Sequence, residues 1–277
     1  MNAIWIMARM TLREAARRRI LWTALIAALL LLLVFAVALR LQVVEFQSRA
    51  MSPFLRYQVE NGMLMVGLYT CDLLAVVMTI LTAIDTLAGE ISSGTIHAVA
   101  TKPIARWQIL SGKFLGFVGM STAFVILTFG GTVAVAHALT GVLPEHPLRG
   151  VLLMAFECVL ALSVTFVLGT WFSTLTSGVL ALGLQGVAFM GGWLEQVSGF
   201  SQSAHIVTLG VVTSLIMPSE SLWRRAAYEM QTPLAGSLSF SPFANTSIPS
   251  MTAVAYAGAY LCIVFATAVY HFNRRDL

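Results

Sequence analysis

Charged side chains are scarce in this sequence. Only 10% of its 277 residues are charged, whereas 58% are hydrophobic. A soluble domain carries about one quarter charged residues, and a water-soluble fold of this size could not bury so much apolar surface. The composition therefore excludes an ordinary soluble protein. The net charge of +4 is spread along the chain, which also excludes the clustered basic face expected of a nucleic-acid-binding protein.

Cysteine and metal-binding patterns are also scarce. Cys71, Cys158 and Cys262 each lie within an apolar run, where a thiol usually packs as a small hydrophobic group. The five histidines are isolated, and no Cys-x-x-Cys pair or His/Cys ligand spacing occurs. The sequence therefore predicts no metal site in this chain. The thiols give no information about its redox compartment.

Motifs for nucleotide hydrolysis and other catalysis are absent from the sequence. The only similarity to a phosphate-binding loop is Gly112-Lys113, which lacks both the spacing and the hydroxyl residue of that motif. Neither Gly-x-Ser-x-Gly nor His-Glu-x-x-His occurs. The chain is therefore predicted not to be an enzyme, and an intramembrane enzyme in particular has no catalytic constellation to support it.

Long apolar runs dominate what the sequence does contain. Several reach the ~20 residues that a helix needs to cross a bilayer. They predict an all-α polytopic membrane protein with six transmembrane helices, forming one transmembrane domain over residues 1–277. The predicted spans are residues 21–39, 62–88, 114–140, 151–172, 179–197 and 251–272. A secretory signal peptide is a competing interpretation of the first run, but the run and the charged helix before it are too long.

Residues 1–20 have the pattern of a basic amphipathic helix. One predicted face is apolar and the opposite face carries arginines. The apolar face consists of Ile4, Trp5, Ala8, Leu12 and Ala15. Such a helix typically lies in the membrane interface with its basic face towards anionic lipid. We therefore expect an interfacial helix before the first span, and membrane lipids among the partners.

Segment 198–250 is predicted to be external or re-entrant. Its apolar run 204–217 is too short to cross a bilayer comfortably and ends at Pro218, which favours a re-entrant or interfacial segment. An amphipathic stretch with Arg224 and Arg225 follows. We therefore do not count this segment as a seventh span.

The distribution of basic residues orients the chain. If the N-terminus is cytoplasmic, six spans place ten of the 16 Lys and Arg residues inside, as the positive-inside rule favours. Both termini are then cytoplasmic. Segment 40–61, which includes Glu60, is predicted to be an external helical excursion.

A compact polar stretch, residues 89–113, separates the second and third apolar runs. Ser92 or Ser93 can cap a short helix through its hydroxyl. Lys102-Pro103 must end that helix, because the residue before a proline is disfavoured in the α region. Pro103 then suits the first turn of the next helix. The pattern predicts a short helix between two spans, which is typical of a docking element.

This stretch resembles the cytoplasmic loop of ABC-2 type permeases, the membrane subunits of a large class of ABC transporters. The shared pattern is an acidic residue, Gly-Thr, Lys-Pro-Ile-x-Arg, and Gly-Lys before the next span. The matching residues are Glu90, Gly94, Thr95, Lys102, Pro103, Ile104, Arg106, Gly112 and Lys113. The length, number of spans and polarity of the whole chain also agree with this family. Within the class, the chain looks most like permeases of multicopper-enzyme maturation, such as those serving nitrous-oxide reductase.

The resemblance implies the membrane subunit of an ATP-driven exporter in a bacterial inner membrane. A second permease copy would complete a homodimer around a central path, and two copies of a separate ABC ATPase would bind ATP and Mg²⁺. This chain itself would then hold no cofactor. The loop would form a coupling helix docked in the ATPase. The residues assigned to this coupling are Glu90, Gly94, Thr95, Lys102, Pro103 and Arg106.

An alternative function is a non-transporting membrane anchor or mechanotransmitter. It would couple the ATPase to a periplasmic maturation or assembly partner. The predicted external segments 40–61 and 219–250 would contact that partner. The sequence does not identify a substrate.

Two carboxylates lie deep within predicted spans. Charge in hydrocarbon is costly and usually faces a bundle interior or water. Asp72 and Glu157 are therefore pathway candidates, although a structural hydrogen bond explains them equally well. Met63 and Met65 allow a copper-contact interpretation, but packing between helices is the better explanation, since soft metal sites need several converging ligands.

Glycines are frequent in the fifth predicted span. They are Gly183, Gly186, Gly191 and Gly192. Small residues let a second helix approach closely in a membrane. We therefore expect this span to pack closely either within one subunit or against a second copy.

Overall fold

The computed structural model describes residues 3–17, 19–48, 52–92, 105–201, 204–231 and 248–274. Within these ranges the chain forms nine helices. They are α1 (Ala3–Arg17), α2 (Arg19–Ser48), α3 (Pro53–Ser92), α4 (Arg106–Thr140), α5 (Pro147–Trp171), α6 (Thr174–Ser201), α7 (Ala204–Ile216), α8 (Ser219–Met230) and α9 (Met251–Arg274).

Six of the described helices are long and apolar enough to cross a membrane. These candidate spans are Arg19–Phe46, Pro53–Ile84, Arg106–Thr140, Pro147–Trp171, Thr174–Leu194 and Met251–Arg274. Each contains or overlaps one of the six predicted apolar runs. The prediction of an all-α polytopic membrane protein is therefore confirmed.

The first two spans extend beyond their apolar runs. Helix α2 continues to Ser48 and α3 begins at Pro53, so segment 40–61 belongs mainly to these two helices. An external helical excursion predicts an exposed Glu60, but this side chain is only 5% exposed. Arg56 Nε donates a hydrogen bond to Glu60 Oε1 at 2.8 Å. A charged pair at positions i and i+4 stabilises a helix. This pair supports the part of α3 that precedes its apolar run, which apolar periodicity alone does not predict.

Helix α5 lies at the centre of the bundle. It packs against α3, α4, α6, α8 and α9, and every residue from Leu160 to Thr170 is buried. A helix that is apolar on all sides is typically enclosed by others. Phe166 of α5 meets Phe114 of α4 edge to face, with ring centroids 5.4 Å apart. Helices α2 and α9 lie at the periphery and leave most of their apolar surface uncovered.

Helix α1 packs against the first turns of α4. Two glycines of α4 make the approach possible, because an added Cβ at Gly112 would lie 2.5 Å from Met7 Cβ, and one at Gly116 would lie 2.8 Å from Thr11 Cβ. The predicted apolar face of α1 is thus divided. Ala8 and Ala15 are buried, whereas Trp5 is 65% exposed and Leu12 is 40% exposed.

Helices α7 and α8 form a hairpin that turns at Met217-Pro218. Thr213 of α7 lies directly against Gly191 of α6, and Met230 at the end of α8 lies against Gly150 at the start of α5. The backbone N–H of Glu145 also donates to the carbonyl of Met230 at 3.1 Å. The hairpin therefore enters the bundle from the end where α4 connects to α5. Its tip lies about halfway along α5.

The coupling loop is only partly described. Helix α3 ends at Ser92, and α4 begins at Arg106 after Ala105. The predicted short helix lies outside the described residues. So do four of the predicted coupling residues: Gly94, Thr95, Lys102 and Pro103.

Candidate functional site: a buried acidic cluster

The structure brings the two predicted pathway carboxylates together and adds a third. Asp72 of α3, Glu157 of α5 and Glu220 of α8 are 3%, 1% and 5% exposed. The three carboxyl groups interact electrostatically with one another, and Asp72 and Glu157 lie within hydrogen-bonding reach. We call these three residues, with Gln185 of α6, the acidic cluster. Each comes from a different helix.

Hydrogen bonds satisfy only part of the cluster. Gln185 Nε2 donates to Glu157 Oε1 at 3.3 Å, and Tyr69 Oη donates to Glu220 Oε1 at 3.5 Å. Asp72 Oδ1, Glu157 Oε2 and Gln185 Oε1 are buried without a hydrogen-bond partner in the described structure. Buried acceptors without partners are costly. The cluster therefore offers several buried oxygen atoms to a proton donor.

Three buried carboxyl groups in one place cannot all be ionised, because like charges repel strongly where water is excluded. Burial raises the pKa of Glu220 to about 7, although the charge of Arg224 and the hydrogen bond from Tyr69 act in the opposite direction. Glu220 can therefore gain or lose a proton near neutral pH. Among the described residues, no group of His, Cys, Asp or Glu has the arrangement of a metal site.

Small and aromatic residues position the cluster. Gly192 of α6 lies directly against the Glu220 side chain, where a Cβ would collide with it. The ring of Tyr69 lies between Phe189 and Trp223, with centroid distances of 6.0 and 4.9 Å. Gly192 thus lets α8 approach α6, and the aromatic stack fixes the Tyr69 hydroxyl beside Glu220.

Sequence reasoning did not identify Glu220 or Gln185. Glu220 lies in segment 198–250, which the sequence predicts to be external or re-entrant. The sequence signal that could have indicated Glu220 is the Gly191-Gly192 pair of α6, because small residues predict that another helix packs closely there. That approach is made by α7 and α8, whereas an added Cβ at Gly183 or Gly186 would meet nothing within 4 Å.

A second polar contact fastens the hairpin to α5. Glu229 of α8 accepts a hydrogen bond from Arg149 Nη1 at 2.9 Å and forms a short ion pair with Arg225. Burial opposes ionisation of Glu229, but hydrogen bonds and charge from Arg149 and Arg225 outweigh it and hold the pKa of Glu229 below its usual value. These charged contacts of Glu229 therefore hold the open end of the hairpin, where α8 ends, against the start of α5.

The predicted coupling residues that the structure describes lie at the end of the bundle opposite the open end of the hairpin. Arg106 is the first residue of α4 and is partly buried. Glu90 belongs to the last turn of α3. Gly112 lies against α1, and Lys113 is buried. Helix α1 thus contacts the helix that follows the predicted coupling loop directly.

These features define the class as a polytopic α-helical membrane protein with a buried polar centre. The sequence family described as ABC-2 family transporter protein matches residues 5–277. The chain therefore belongs to the ABC-2 transporter family and is a membrane permease subunit.

One curated relative supports the same family. The chain is 33% identical over 156 residues to the "Probable ABC transporter permease protein NosY" of Stutzerimonas stutzeri. The match covers 56% of this chain and 52% of that relative. The chain thus matches about half the length of the relative.

Proposed function

We propose that this chain is the permease subunit of an ATP-driven ABC-2 exporter and docks a separate ABC ATPase through its cytoplasmic loop. The packing of α1 on the first turns of α4 carries the proposal. Gly112 and Gly116 bring these helices into backbone contact next to the loop. A displacement of the loop would then move α1 and α4 as one rigid body.

The six coupling residues keep their proposed roles in this scheme. Glu90 in the last turn of α3 and Arg106 at the start of α4 flank the connection between these helices, where their charges would pair with the ATPase. Gly94 and Thr95 would allow close approach, and Lys102-Pro103 would fix the bend. ATP and Mg²⁺ would bind the partner, with two ATPase chains for two permease chains.

A second permease copy would complete the transporter. Gly183 and Gly186 of α6 leave open space beside them, and Val179, Val187 and Met190 are exposed on the same helix. An apolar surface with small residues suits close helix packing in a membrane. We propose that this surface of α6 takes part in a homodimer contact.

The hairpin is proposed to be re-entrant from the periplasmic side. Helix α7 has 13 residues and is therefore about 20 Å long, which is too short to cross the ~30 Å hydrocarbon core. Leu209, Val212 and Ile216 are exposed along it, as expected for contact with lipid. The tip would then place Asp72 and Glu157 beside a movable element, where they could line a pathway when it opens.

The alternative function, a mechanotransmitter that does not transport, is favoured by one observation. Asp72 and Glu157 are both enclosed by packed helices. ATPase-driven motion could instead reach the hairpin through α3 and α5 and act on a periplasmic partner. A transport assay in vesicles distinguishes the two functions, because only the exporter moves a compound at the expense of ATP.

Purification through a tag on this chain tests the proposed complex. Co-expressed ABC ATPase should be retained in equal amount, and hydrolysis should require the ATPase chain. The permease alone should hydrolyse no ATP above background. Robust hydrolysis by the permease alone, or failure of any co-expressed ABC ATPase to be retained, would refute the assignment.

A further inference from the structure

A cavity runs beside the hairpin from the start of α9 to the hairpin tip. Its volume is about 530 Å³, which is far more than one water molecule needs. Leu215 and Ile248 line it and are about half exposed, so the cavity opens at the surface. Pro218 and Ser221, at the tip and in the first turn of α8, form its buried part. Hydroxyl groups of Ser214 and Ser221 give water in the cavity polar partners.

Two buried residues stand in the chain between the cavity-lining Pro218 and Ser221. They are Ser219 and Glu220, the first two residues of α8. Ser219 is 0% exposed, and its Oγ has no hydrogen-bond partner in the described structure. A hydroxyl group buried in this way is costly, but it can accept one proton while it donates another. Ser219 is therefore suited to pass a proton between water in the cavity and its neighbour Glu220.

The acidic cluster on the other side of Glu220 offers oxygen atoms that need a proton. Asp72 Oδ1, Glu157 Oε2 and Gln185 Oε1 are buried without a partner in the described structure. The Gln185 side chain belongs to the cluster, because its Nε2 donates to Glu157 Oε1 at 3.3 Å. Asp72 and Glu157 each interact electrostatically with Glu220. A proton that reaches Glu220 is therefore delivered to a cluster that lacks donors.

The charged and titratable groups that face Glu220 come from three helices. They are Tyr69 and Asp72 of α3, Glu157 of α5 and Arg224 of α8. Burial raises the pKa of Glu220 to about 7, whereas the charge of Arg224 and the hydrogen bond from Tyr69 act in the opposite direction. Glu220 therefore exchanges a proton close to neutral pH.

We propose that the cavity is a proton path and that the acidic cluster is the proton-binding site at its end. A hydronium ion in the cavity gives a proton to Ser219 Oγ, which releases its own hydroxyl proton to the Glu220 carboxylate. One O–H bond breaks and one forms at each transfer, and the reverse transfers return the proton to water. The side from which the proton enters rests on the proposed orientation, which makes it the periplasm. The proton site itself does not depend on that orientation.

The test is a pH jump followed by the fluorescence of Trp223. Its ring lies 4.9 Å from that of Tyr69, which donates a hydrogen bond to Glu220. The detergent-purified chain, with Trp223 as its only tryptophan, is moved from about pH 8 to about pH 6, across the pKa of Glu220 at about 7. The fluorescence should change, and Glu220→Gln should abolish the change because it removes the proton acceptor. A change that persists in Glu220→Gln would overturn the proposal.

Ser219→Ala tests the relay. A positioned proton-transfer group typically contributes a factor of about 100 or more in rate. The fluorescence change should therefore slow at least about tenfold, while its pH midpoint stays in place because Glu220 remains. Ser121→Ala is the matched control, since Ser121 is also buried but donates to the Val118 carbonyl of its own helix. Equal rates in these two variants, or a shifted midpoint at an unchanged rate, would overturn Ser219 as the relay.

Ala253→Trp tests the cavity. Ala253 lines it from α9, and a large ring there would exclude water from the path. The fluorescence change should again slow at least about tenfold, whereas Ala134→Trp on the exposed side of α4 should leave the rate unchanged. If Ser219→Ala and Ala253→Trp both respond at the unmodified rate, the proposal is overturned. An error in the proposed orientation would change the side of proton entry but neither rate.

Discussion

At the scale of single residues, protonation governs the centre of the molecule. Glu220 is enclosed by α3, α5 and α6 and faces Tyr69, Asp72, Glu157 and Arg224. Its neutral form suits this environment better than its charged form, because burial penalises the charge. The folded protein therefore favours a protonated Glu220 below about pH 7.

Replacing Glu220 with Gln should weaken the pH dependence of stability. The pKa of Glu220 is raised from 4.5 to about 7, so its protonation favours the folded state fully below pH 4.5 and this contribution is lost as the pH rises to about 7. The loss amounts to at most about 3 kcal/mol. Thermal unfolding of detergent-purified protein, followed by tryptophan fluorescence from pH 5 to 8, should show a smaller decline for Glu220→Gln. Glu145→Gln, at an exposed position, is the matched control; equal declines in both would contradict this role.

Replacing Glu229 with Gln should loosen the open end of the hairpin. The variant loses charge-assisted bonds to Arg149 and Arg225, at a cost of about 1–2 kcal/mol, because Arg149 is largely exposed. Since the pKa of Glu229 is lowered from 4.5, the contribution is present above pH 4.5 and is lost as the pH falls through the lower pKa of the folded state. Unfolding midpoints should differ at pH 7 and converge in acid. A difference that persists unchanged in acid would show that the ion pairs are not its source.

At the scale of helices, the close contact between α1 and α4 is the feature that links the coupling loop to the bundle. Gly116→Leu should separate these helices, because a Cβ there would lie 2.8 Å from Thr11 Cβ and 2.9 Å from the Ala8 carbonyl oxygen. Trypsin should then cut several times faster after Arg9, Arg13 or Arg17. Gly130→Leu is the control, since Gly130 of the same helix has nothing within 4 Å. Equal cleavage rates in the two variants would disprove the contact.

The sequence predicts the helices better than their contacts. Length and hydropathy are local properties, so all six candidate spans and the N-terminal helix could be recognised, as could the short length of the apolar helix within residues 204–217. The burial of Glu60 and Glu220 could not be predicted, because it depends on which helices pack against these residues. Asp72 and Glu157 were recognised as isolated intramembrane carboxylates, but their proximity depends on the packing of α3 against α5. Gln185 is uncharged, so the pattern of intramembrane charges does not indicate it as a site residue.

At the scale of the whole molecule, the proposed orientation places the coupling loop and both termini in the cytoplasm. In a cysteine-free background, cysteines replacing Ser93 or Arg275 should be shielded from an impermeant thiol reagent added outside. Cysteines replacing Ser48 or Ser237 should be labelled, because positive-inside charge places them outside. Labelling at position 275 from outside would contradict the six-span topology.

The central claim is that the cytoplasmic loop docks an ABC ATPase, and the most direct test is ATPase retention by loop variants. Gly94→Trp should obstruct a close contact, while Glu90→Lys and Arg106→Glu should each reverse a charge in it. The amount of co-purified ATPase should fall at least about tenfold for each variant, although the permease still inserts and pairs. Glu145→Lys, at the opposite end of α4 from the loop, should retain the ATPase fully. Retention by all three loop variants equal to that of Glu145→Lys would show that the loop is only a connector.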